Sequence, residues 1–125
     1  MKLNVHRFGP TTPSVLLLHG LSSAGPVWWR VGTALEESGY AAVAPDLRRH
    51  GGSAHRDVYS LEAYTEDVLE TCPGPWHLVV GHSLGGAVAV RAAAAEPDFA
   101  ASYLLVDPAI TFDRSTAEAV HTAIV

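Results

Sequence analysis

Short apolar runs alternate with amphipathic stretches along the chain. Each run is bounded by turn residues and is apolar on both faces, which is typical of strands buried in a parallel sheet. A weaker segment, residues 3–8, alternates apolar and polar positions and favours an antiparallel edge strand. The four buried strands are predicted at residues 15–18, 40–44, 77–80 and 103–106.

Helical patterns occupy the stretches between these runs. Pro26 fits the first turn of one helix and Gly39 its C-terminal cap, while Ser60 fits the N-cap of the next helix. Strands and helices in regular alternation predict an α/β fold, with a mostly parallel sheet and helices on both faces, in a single domain over residues 1–125. The predicted helices begin near Pro26, Leu61, Leu84 and Ser115.

Composition narrows the classes of function. The chain is 48% apolar and 17% charged, with a formal net charge of −5, so it is expected to fold. Its few basic residues are scattered along the sequence, which excludes nucleic acid as a partner. A single cysteine, Cys72, excludes a disulfide framework, and His50 and His55 lack the spacing and acidic neighbours of a metal site. Without a secretory signal or an apolar run near ~20 residues, a cytoplasmic protein with no membrane partner is expected.

The strongest sign of chemistry is the segment Gly81-His82-Ser83-Leu84-Gly85, which fits G-x-S-x-G between a predicted strand and a predicted helix. Such a turn is tight and pushes the serine hydroxyl outward, and glycines two residues before and after remove side chains that would collide there. The helix that follows aims its free N–H groups and the positive end of its dipole at the serine. Ser83 is therefore predicted to be a nucleophile.

Together with two other segments, this turn resembles the α/β-hydrolase family, of the serine hydrolase or esterase type. Leu18-His19-Gly20 lies at the end of a predicted strand, and residues 46–53 resemble the family's D-x-R-G-x-G-x-S loop, with Arg49 in place of its first glycine. Residues 104–109 resemble the strand after the nucleophile helix. The resemblance implies the N-terminal portion of that fold and hydrolysis of an ester, thioester or related acyl bond, without a cofactor or metal.

The resemblance also assigns roles to individual residues. Ser83 is the nucleophile, and the backbone N–H groups of Leu21 and Leu84 form the oxyanion hole. A serine nucleophile, where some relatives of the family use aspartate, argues against dehalogenase or epoxide-hydrolase chemistry. The loop at residues 46–53 is interpreted as structural. The residues that line the site are His19, Gly20 and His82. Of these, His19 is a positioning residue and not the base, and Gly20 lets the backbone approach the substrate.

In this family the catalytic acid and histidine follow the nucleophile in the chain. After Ser83 the one histidine is His121, near the end of a predicted surface helix, which does not favour it as the base. Asp107 ends a strand on the nucleophile's side and is a candidate acid, although a structural aspartate is the commoner interpretation of that position. The chain is therefore expected to be truncated before the cap and the last strands, with an incomplete triad.

Two other interpretations stay open. Gly81, Ser83 and Gly86, with Asp107 about 20 residues further on, resemble a degraded dinucleotide fingerprint, although a serine side chain fills the space where the second glycine admits a pyrophosphate. The other alternative is a non-catalytic hydrolase fragment or assembly subunit that lacks the catalytic histidine. In such a chain the run from Tyr103 to Val106 forms an open sheet edge, so self-association is expected.

Overall fold

The computed structural model of the chain describes residues 1–108. Within this range the strands and helices follow the predicted alternation, with an edge strand, a central parallel sheet and three α-helices. The fourth predicted helix, from Ser115, and His121 lie outside the described residues. The elements in chain order are β1 (Val5–Phe8), β2 (Val15–Leu18), a 3₁₀ turn (Gly25–Trp28), α1 (Trp29–Glu37), β3 (Ala42–Pro45), α2 (Leu61–Thr71), β4 (Trp76–His82), α3 (Leu84–Ala95) and β5 (Ala100–Val106).

The sheet has the order β1-β3-β2-β4-β5. β1 pairs antiparallel with β3, whereas the other neighbours pair in parallel, so the prediction of a mostly parallel sheet with an antiparallel edge strand is confirmed. The direction in which the chain adds strands reverses between β2 and β4, which lie side by side. Open α/β sheets bind ligands at such a reversal, beyond the carboxyl ends of the strands.

The central strand β2 is buried on both faces, and its side chains divide between two cores. Leu16 and Leu18 pack with residues of α2 and α3 on one face of the sheet. Val15 and Leu17 pack with Trp28 of the 3₁₀ turn on the other face. Alternate strand positions point to opposite faces, so a continuous apolar run is what this position requires. The prediction of helices on both faces is confirmed.

The helix ends follow the capping residues in the sequence, with one shift. Ser60 caps α2 through its hydroxyl oxygen, which accepts the Ala63 N–H at 3.1 Å. After α1, Gly39 has a φ of 87°, and the Tyr40 N–H donates to the Leu35 carbonyl at 2.9 Å, a Schellman arrangement. Tyr40 therefore belongs to the helix cap, and β3 begins two residues later than predicted.

The start of α1 also departs from prediction. Pro26 lies in the 3₁₀ turn that precedes the helix, and Val31 within the helix is exposed. The helix packs through Gly32, where an added Cβ would collide with the Phe8 side chain. Such a close approach of helix backbone to an aromatic ring is a contact that apolar periodicity in the sequence does not reveal.

Strand β5 is more exposed than the predicted buried strand. Its Tyr103 and Leu105 pack against the core that contains α3, but Leu104 and Val106 are 54% and 43% exposed. The register with β4 places Leu104 and Val106 on the sheet face that carries α1. In residues 1–108, α1 and the 3₁₀ turn lie over β1, β3 and β2, and no strand pairs with the outer side of β5.

We propose that this edge of β5 pairs with a second copy of the chain. Self-association is expected at about 100 μM, since an apolar strand edge without a partner among residues 1–108 is a template for pairing. Light scattering of the purified chain measures this, and Leu104→Lys is expected to shift the chain toward monomer. Val27→Lys, at an exposed valine outside β5, is the matched control. A wild-type monomer at that concentration contradicts the proposal.

None of the helices formed by residues 1–108 combines the length and the apolarity that crossing a bilayer requires.

Candidate active site

Ser83 sits in the turn between β4 and α3 with an unusual backbone conformation, φ 51° and ψ −115°. Few residues other than glycine adopt a positive φ, and such strain persists only where the surroundings impose it. Here the Ser83 N–H donates to the Val106 carbonyl at 3.0 Å, and the Ser83 carbonyl accepts the Gly86 N–H at 2.9 Å. These bonds hold the half-buried side chain at the carboxyl end of the sheet.

The glycines around Ser83 are required by close backbone contacts. A Cβ at Gly81 would lie 2.5 Å from the Gly85 carbonyl oxygen, within the turn itself. A Cβ at Gly85 would lie 2.7 Å from the His19 carbonyl oxygen and closer still to that of Leu18, at the end of β2. The G-x-S-x-G spacing therefore lets the start of α3 rest directly on the neighbouring strand end.

The loop after β2 meets the turn after β4. A Cβ at Gly20 would lie 3.2 Å from the Ser83 Cβ and 2.9 Å from His82 Nδ1, so Gly20 borders Ser83 and His82 lies beside both. The structure thus brings together the two segments that the sequence singled out. Parallel pairing explains this, because Leu18 and Gly81 are register partners at the ends of β2 and β4.

His19 is fully buried, and both of its ring nitrogens are occupied. The Leu47 N–H donates to Nε2 at 2.9 Å, so Nε2 is the unprotonated nitrogen and Nδ1–H donates to the Gly20 carbonyl at 2.7 Å. Burial lowers the pKa of His19, although the bond to Gly20 opposes this. A neutral imidazole with no free nitrogen cannot act as a base, and it fixes the peptide between Gly20 and Leu21.

Two backbone N–H groups beside Ser83 lack partners. In the part of the chain that the structure describes, no acceptor lies against the N–H of Leu21 or of Leu84. Leu84 is the first residue of α3, where a helix leaves its N–H groups unbonded. Leu21 follows Gly20, which borders Ser83. Free donors near a serine are suited to bind an oxygen that carries negative charge.

Asp107 lies at the same end of the sheet. It directly follows Val106, whose carbonyl accepts the Ser83 N–H, and it has a φ of 46° and an exposed side chain. Among residues 1–108 the Ser83 hydroxyl has no hydrogen bond to a histidine, and neither has the Asp107 carboxylate. The candidate acid therefore lies at the end of β5, directly after the residue that is hydrogen-bonded to the nucleophile turn.

The loop after β3 is organised around the buried carboxylate of Asp46. Oδ1 accepts the Gly25 N–H at 2.7 Å, while Oδ2 accepts bonds from Asn4 Nδ2, His6 Nε2 and the Gly52 N–H, each at 2.9 Å. Burial alone would raise the pKa of Asp46, but these four bonds outweigh it and hold the pKa well below its usual range. This geometry agrees with a structural interpretation of the loop.

Asp46 makes the stability of the chain depend on pH. A carboxyl whose pKa is lower in the folded chain than its unfolded value of about 3.9 adds stability above that pH and loses it as the pH falls. Asp46→Asn is expected to lower the free energy of unfolding at pH 7 by about 1–3 kcal/mol, and by less at pH 3. Urea unfolding at both pH values measures this.

Asp57→Asn serves as the matched control, because Asp57 is an exposed carboxylate of the same connection. It is expected to change the free energy of unfolding by no more than about 0.5 kcal/mol. An Asp46→Asn protein that loses equal stability at pH 7 and pH 3 would contradict the role given to the ionised carboxylate.

The departure from the resembled loop motif has a structural consequence. Arg49, in place of the motif's glycine, has a φ of 68°, a conformation that costs a residue with a Cβ about 1–2 kcal/mol. Its guanidinium lies 4.4 Å from the Tyr59 ring centre. The preceding Arg48 forms two hydrogen bonds to buried Asp67 of α2, at 2.8 and 2.9 Å. These contacts hold the loop in place although the glycine is absent.

Three further residues weighed from the sequence have definite positions. His50 is buried and hydrogen-bonded at both ring nitrogens, whereas His55 is exposed, and no group of three metal-ligating side chains converges among residues 1–108. Cys72 is buried, which raises the pKa of its thiol to about 12, so it stays protonated and is not a nucleophile. Sequence reasoning missed the bond from His50 to the loop beside Ser83, since no local pattern connects residues 28 positions apart.

Comparison with known proteins assigns the family. The alpha/beta hydrolase fold family matches residues 13–123 of the chain. The chain is 41% identical over 118 residues to lipase LipV of Mycobacterium tuberculosis, covering 90% of this chain and 44% of the lipase. It is 34% identical over 113 residues to a pyrethroid hydrolase of Sphingobium wenxiniae, covering 86% of this chain and 40% of that enzyme.

The fold is shared with solved structures as well. The thioesterase domain from the curacin biosynthetic pathway superposes with a TM-score of 0.76 at 30% identity, over 95% of this chain and 47% of that domain. A marine microorganism esterase superposes with a TM-score of 0.79 at 26% identity, over 97% of this chain and 49% of the esterase. The chain spans less than half the length of these relatives. It belongs to the alpha/beta hydrolase fold family.

Proposed function

We propose that the protein is a serine hydrolase that cleaves an ester, thioester or related acyl bond through Ser83. The observation that carries the proposal is the conformation of Ser83, held at a strained positive φ next to the Leu84 N–H and near the loop that carries the Leu21 N–H, neither of which has an acceptor among residues 1–108. Strain of this kind is retained where it serves a function.

The first step would be attack by Ser83 Oγ on the acyl carbon, while a general base takes the hydroxyl proton. The carbonyl π electrons move to the oxygen, and the resulting oxyanion accepts hydrogen bonds from the N–H groups of Leu21 and Leu84. Collapse of the tetrahedral intermediate expels the alcohol or thiol, which receives the proton from the base. Water then attacks the acyl-enzyme by the same route and releases the carboxylic acid with Ser83 restored.

Among residues 1–108 no histidine is hydrogen-bonded to Ser83 Oγ, so the structure assigns no general base. His19 and His50 are excluded as bases because both ring nitrogens of each are engaged within the fold. His121 is the one histidine of this sequence beyond residue 108. Asp107 is the candidate acid, given its place directly after the carbonyl that accepts the Ser83 N–H. The absence of a base from the described site keeps the non-catalytic alternative in view.

The relatives support cleavage of acyl bonds by their names alone: a lipase, a pyrethroid hydrolase, an esterase and a thioesterase domain. A serine nucleophile forms an acyl intermediate from esters and thioesters and favours these over substrates opened by a carboxylate nucleophile. The proposed substrate is therefore an acyl compound with an alcohol or thiol leaving group.

Hydrolysis assays with matched substrates test the proposal. The protein is expected to hydrolyse a series of p-nitrophenyl esters and the corresponding acyl thioesters well above the buffer rate, and to leave a simple epoxide and a chloroalkane intact. Circular dichroism confirms that the sample is folded. A folded protein that accelerates none of the acyl substrates would overturn the proposal and favour the non-catalytic alternative.

A further inference from the structure

We propose that His50 is a positioning residue that sets the direction of the Leu21 backbone N–H. The inference rests on the proposed function, because it concerns one of the two donors assigned to the oxyanion. His50 lies in the loop after β3 and, in the described part of the chain, has no hydrogen bond to Ser83. It acts through the loop that borders Ser83, to which its imidazole is hydrogen-bonded.

The hydrogen bonds of His50 define its chemical form. The Ser22 N–H donates to Nε2 at 3.0 Å, so Nε2 is the unprotonated nitrogen. Nδ1–H then donates to the Arg48 carbonyl at 2.8 Å. The ring is buried, with the His19 ring centre at 5.0 Å and the Tyr64 ring centre at 6.4 Å. A single neutral tautomer satisfies both partners.

Leu21 lies between two peptide groups that two histidines hold. His19 Nδ1–H binds the carbonyl of the peptide that joins Gly20 to Leu21, and the N–H of that peptide is the proposed oxyanion donor. His50 Nε2 binds the N–H of the peptide that joins Leu21 to Ser22. Since peptide groups are planar, fixing both sets the two backbone dihedrals of Leu21 and so the direction of its N–H.

The loop needs this support because it is strained and exposed. Ser22 has a φ of 62°, uncommon for a residue with a Cβ, and the Leu21 side chain is largely exposed and so adds little packing. The Ser23 N–H donates to the Gly20 carbonyl at 3.2 Å, which closes the turn on one side only. Without the Nε2 acceptor, the Ser22 N–H loses its partner and the turn can relax away from Ser83.

Two amide substitutions separate the two bonds of His50. In His50→Asn the amide occupies the Nδ1 position and can keep the bond to Arg48, but it is too short to reach the Ser22 N–H. In His50→Gln the amide reaches the Nε2 position and restores an acceptor for Ser22. Both variants are polar and similar in size, so they are expected to unfold at similar temperatures. His55→Asn, at the exposed histidine of the same loop, is the control.

Kinetics and amide resonances together test the proposal. His50→Asn is expected to lower kcat for a p-nitrophenyl ester by about 10–100-fold with KM nearly unchanged, since loss of a whole oxyanion donor costs about 10²–10³-fold. His50→Gln is expected to recover most of kcat, and His55→Asn to match the wild type. In ¹⁵N-labelled protein, His50→Asn shifts the Leu21 and Ser22 amide signals and speeds exchange of the Ser22 amide about tenfold.

The outcomes distinguish this inference from the proposed function. Unchanged Leu21 and Ser22 signals in His50→Asn, or a kcat equal to the wild type, would overturn the positioning role. Equal losses of kcat in the Asn and Gln variants would do the same. A folded wild type that hydrolyses no acyl substrate would overturn the proposed function, and the amide signals would still decide whether His50 fixes Leu21.

Discussion

Ser83→Ala is expected to lower kcat for ester hydrolysis by about 10⁴–10⁶-fold with the fold intact, the range found when a serine nucleophile is removed. The alanine removes the attacking oxygen and leaves the turn, the two free N–H groups and the packing of α3 unchanged. Steady-state kinetics on a p-nitrophenyl ester measure the loss. Ser102→Ala, at an exposed serine of β5, is the control and is expected to retain full activity.

A second substitution at this position separates chemistry from stability. Ser83→Gly removes the same oxygen and also relieves the positive φ of 51°, so it is expected to raise the free energy of unfolding by about 1–2 kcal/mol while abolishing activity. Gain of stability with loss of function is the mark of strain held for a functional purpose. Retention of more than about a tenth of the activity by either variant would exclude Ser83 as the nucleophile.

Gly85→Ala is expected to destabilise the chain by about 3 kcal/mol or more and to disrupt the turn at Ser83. The added Cβ would collide with the carbonyl groups of Leu18 and His19, which are backbone atoms of the central strand and its end. These atoms cannot move without separating α3 from β2. The free-energy cost of this overpacking exceeds the roughly 1 kcal/mol that alanine gains over glycine from its higher helix propensity. Urea unfolding measures the change.

The matched control is Gly39→Ala. Gly39 has a φ of 87° and open space where a Cβ would lie, so alanine there costs conformational strain alone, about 1–2 kcal/mol. Gly85→Ala should therefore be the more damaging of the two, and activity should fall with it and not with Gly39→Ala. Equal effects from the two substitutions would contradict the account of the turn as a point of close backbone approach.

Much of this fold follows from local signals in the sequence. The apolar run of β2 and the Ser60 cap of α2 rest on rules that act within a few residues, and the structure follows them. The turn at Ser83 was predictable because three glycines at fixed spacing leave few backbone alternatives. The start of β3 differs from the prediction because the Tyr40 N–H bonds to the Leu35 carbonyl in the cap of α1. An apolar pattern does not show whether an apolar residue at this point belongs to the helix cap or to the strand.

Contacts between distant segments were not predictable in this way. The bond from His50 to Ser22 and the four bonds to Asp46 join residues that only the folded sheet brings together. In the sequence, His50 is considered only as a candidate metal ligand and is excluded. Its partner Ser22 lies far away in the sequence, so no local pattern connects the two residues. Likewise the exposure of Leu104 depends on which elements cover one face of β5, a property of packing and not of the strand's own composition.

The most direct test of Ser83 as an activated nucleophile is covalent labelling with a fluorophosphonate followed by mass spectrometry of the digested protein. One phosphonate per chain is expected, on Ser83 in the peptide that contains residues 81–86, and no such label is expected after heat denaturation. A label on another residue, or none on a sample shown to be folded, would contradict the claim that the strained Ser83 is the nucleophile.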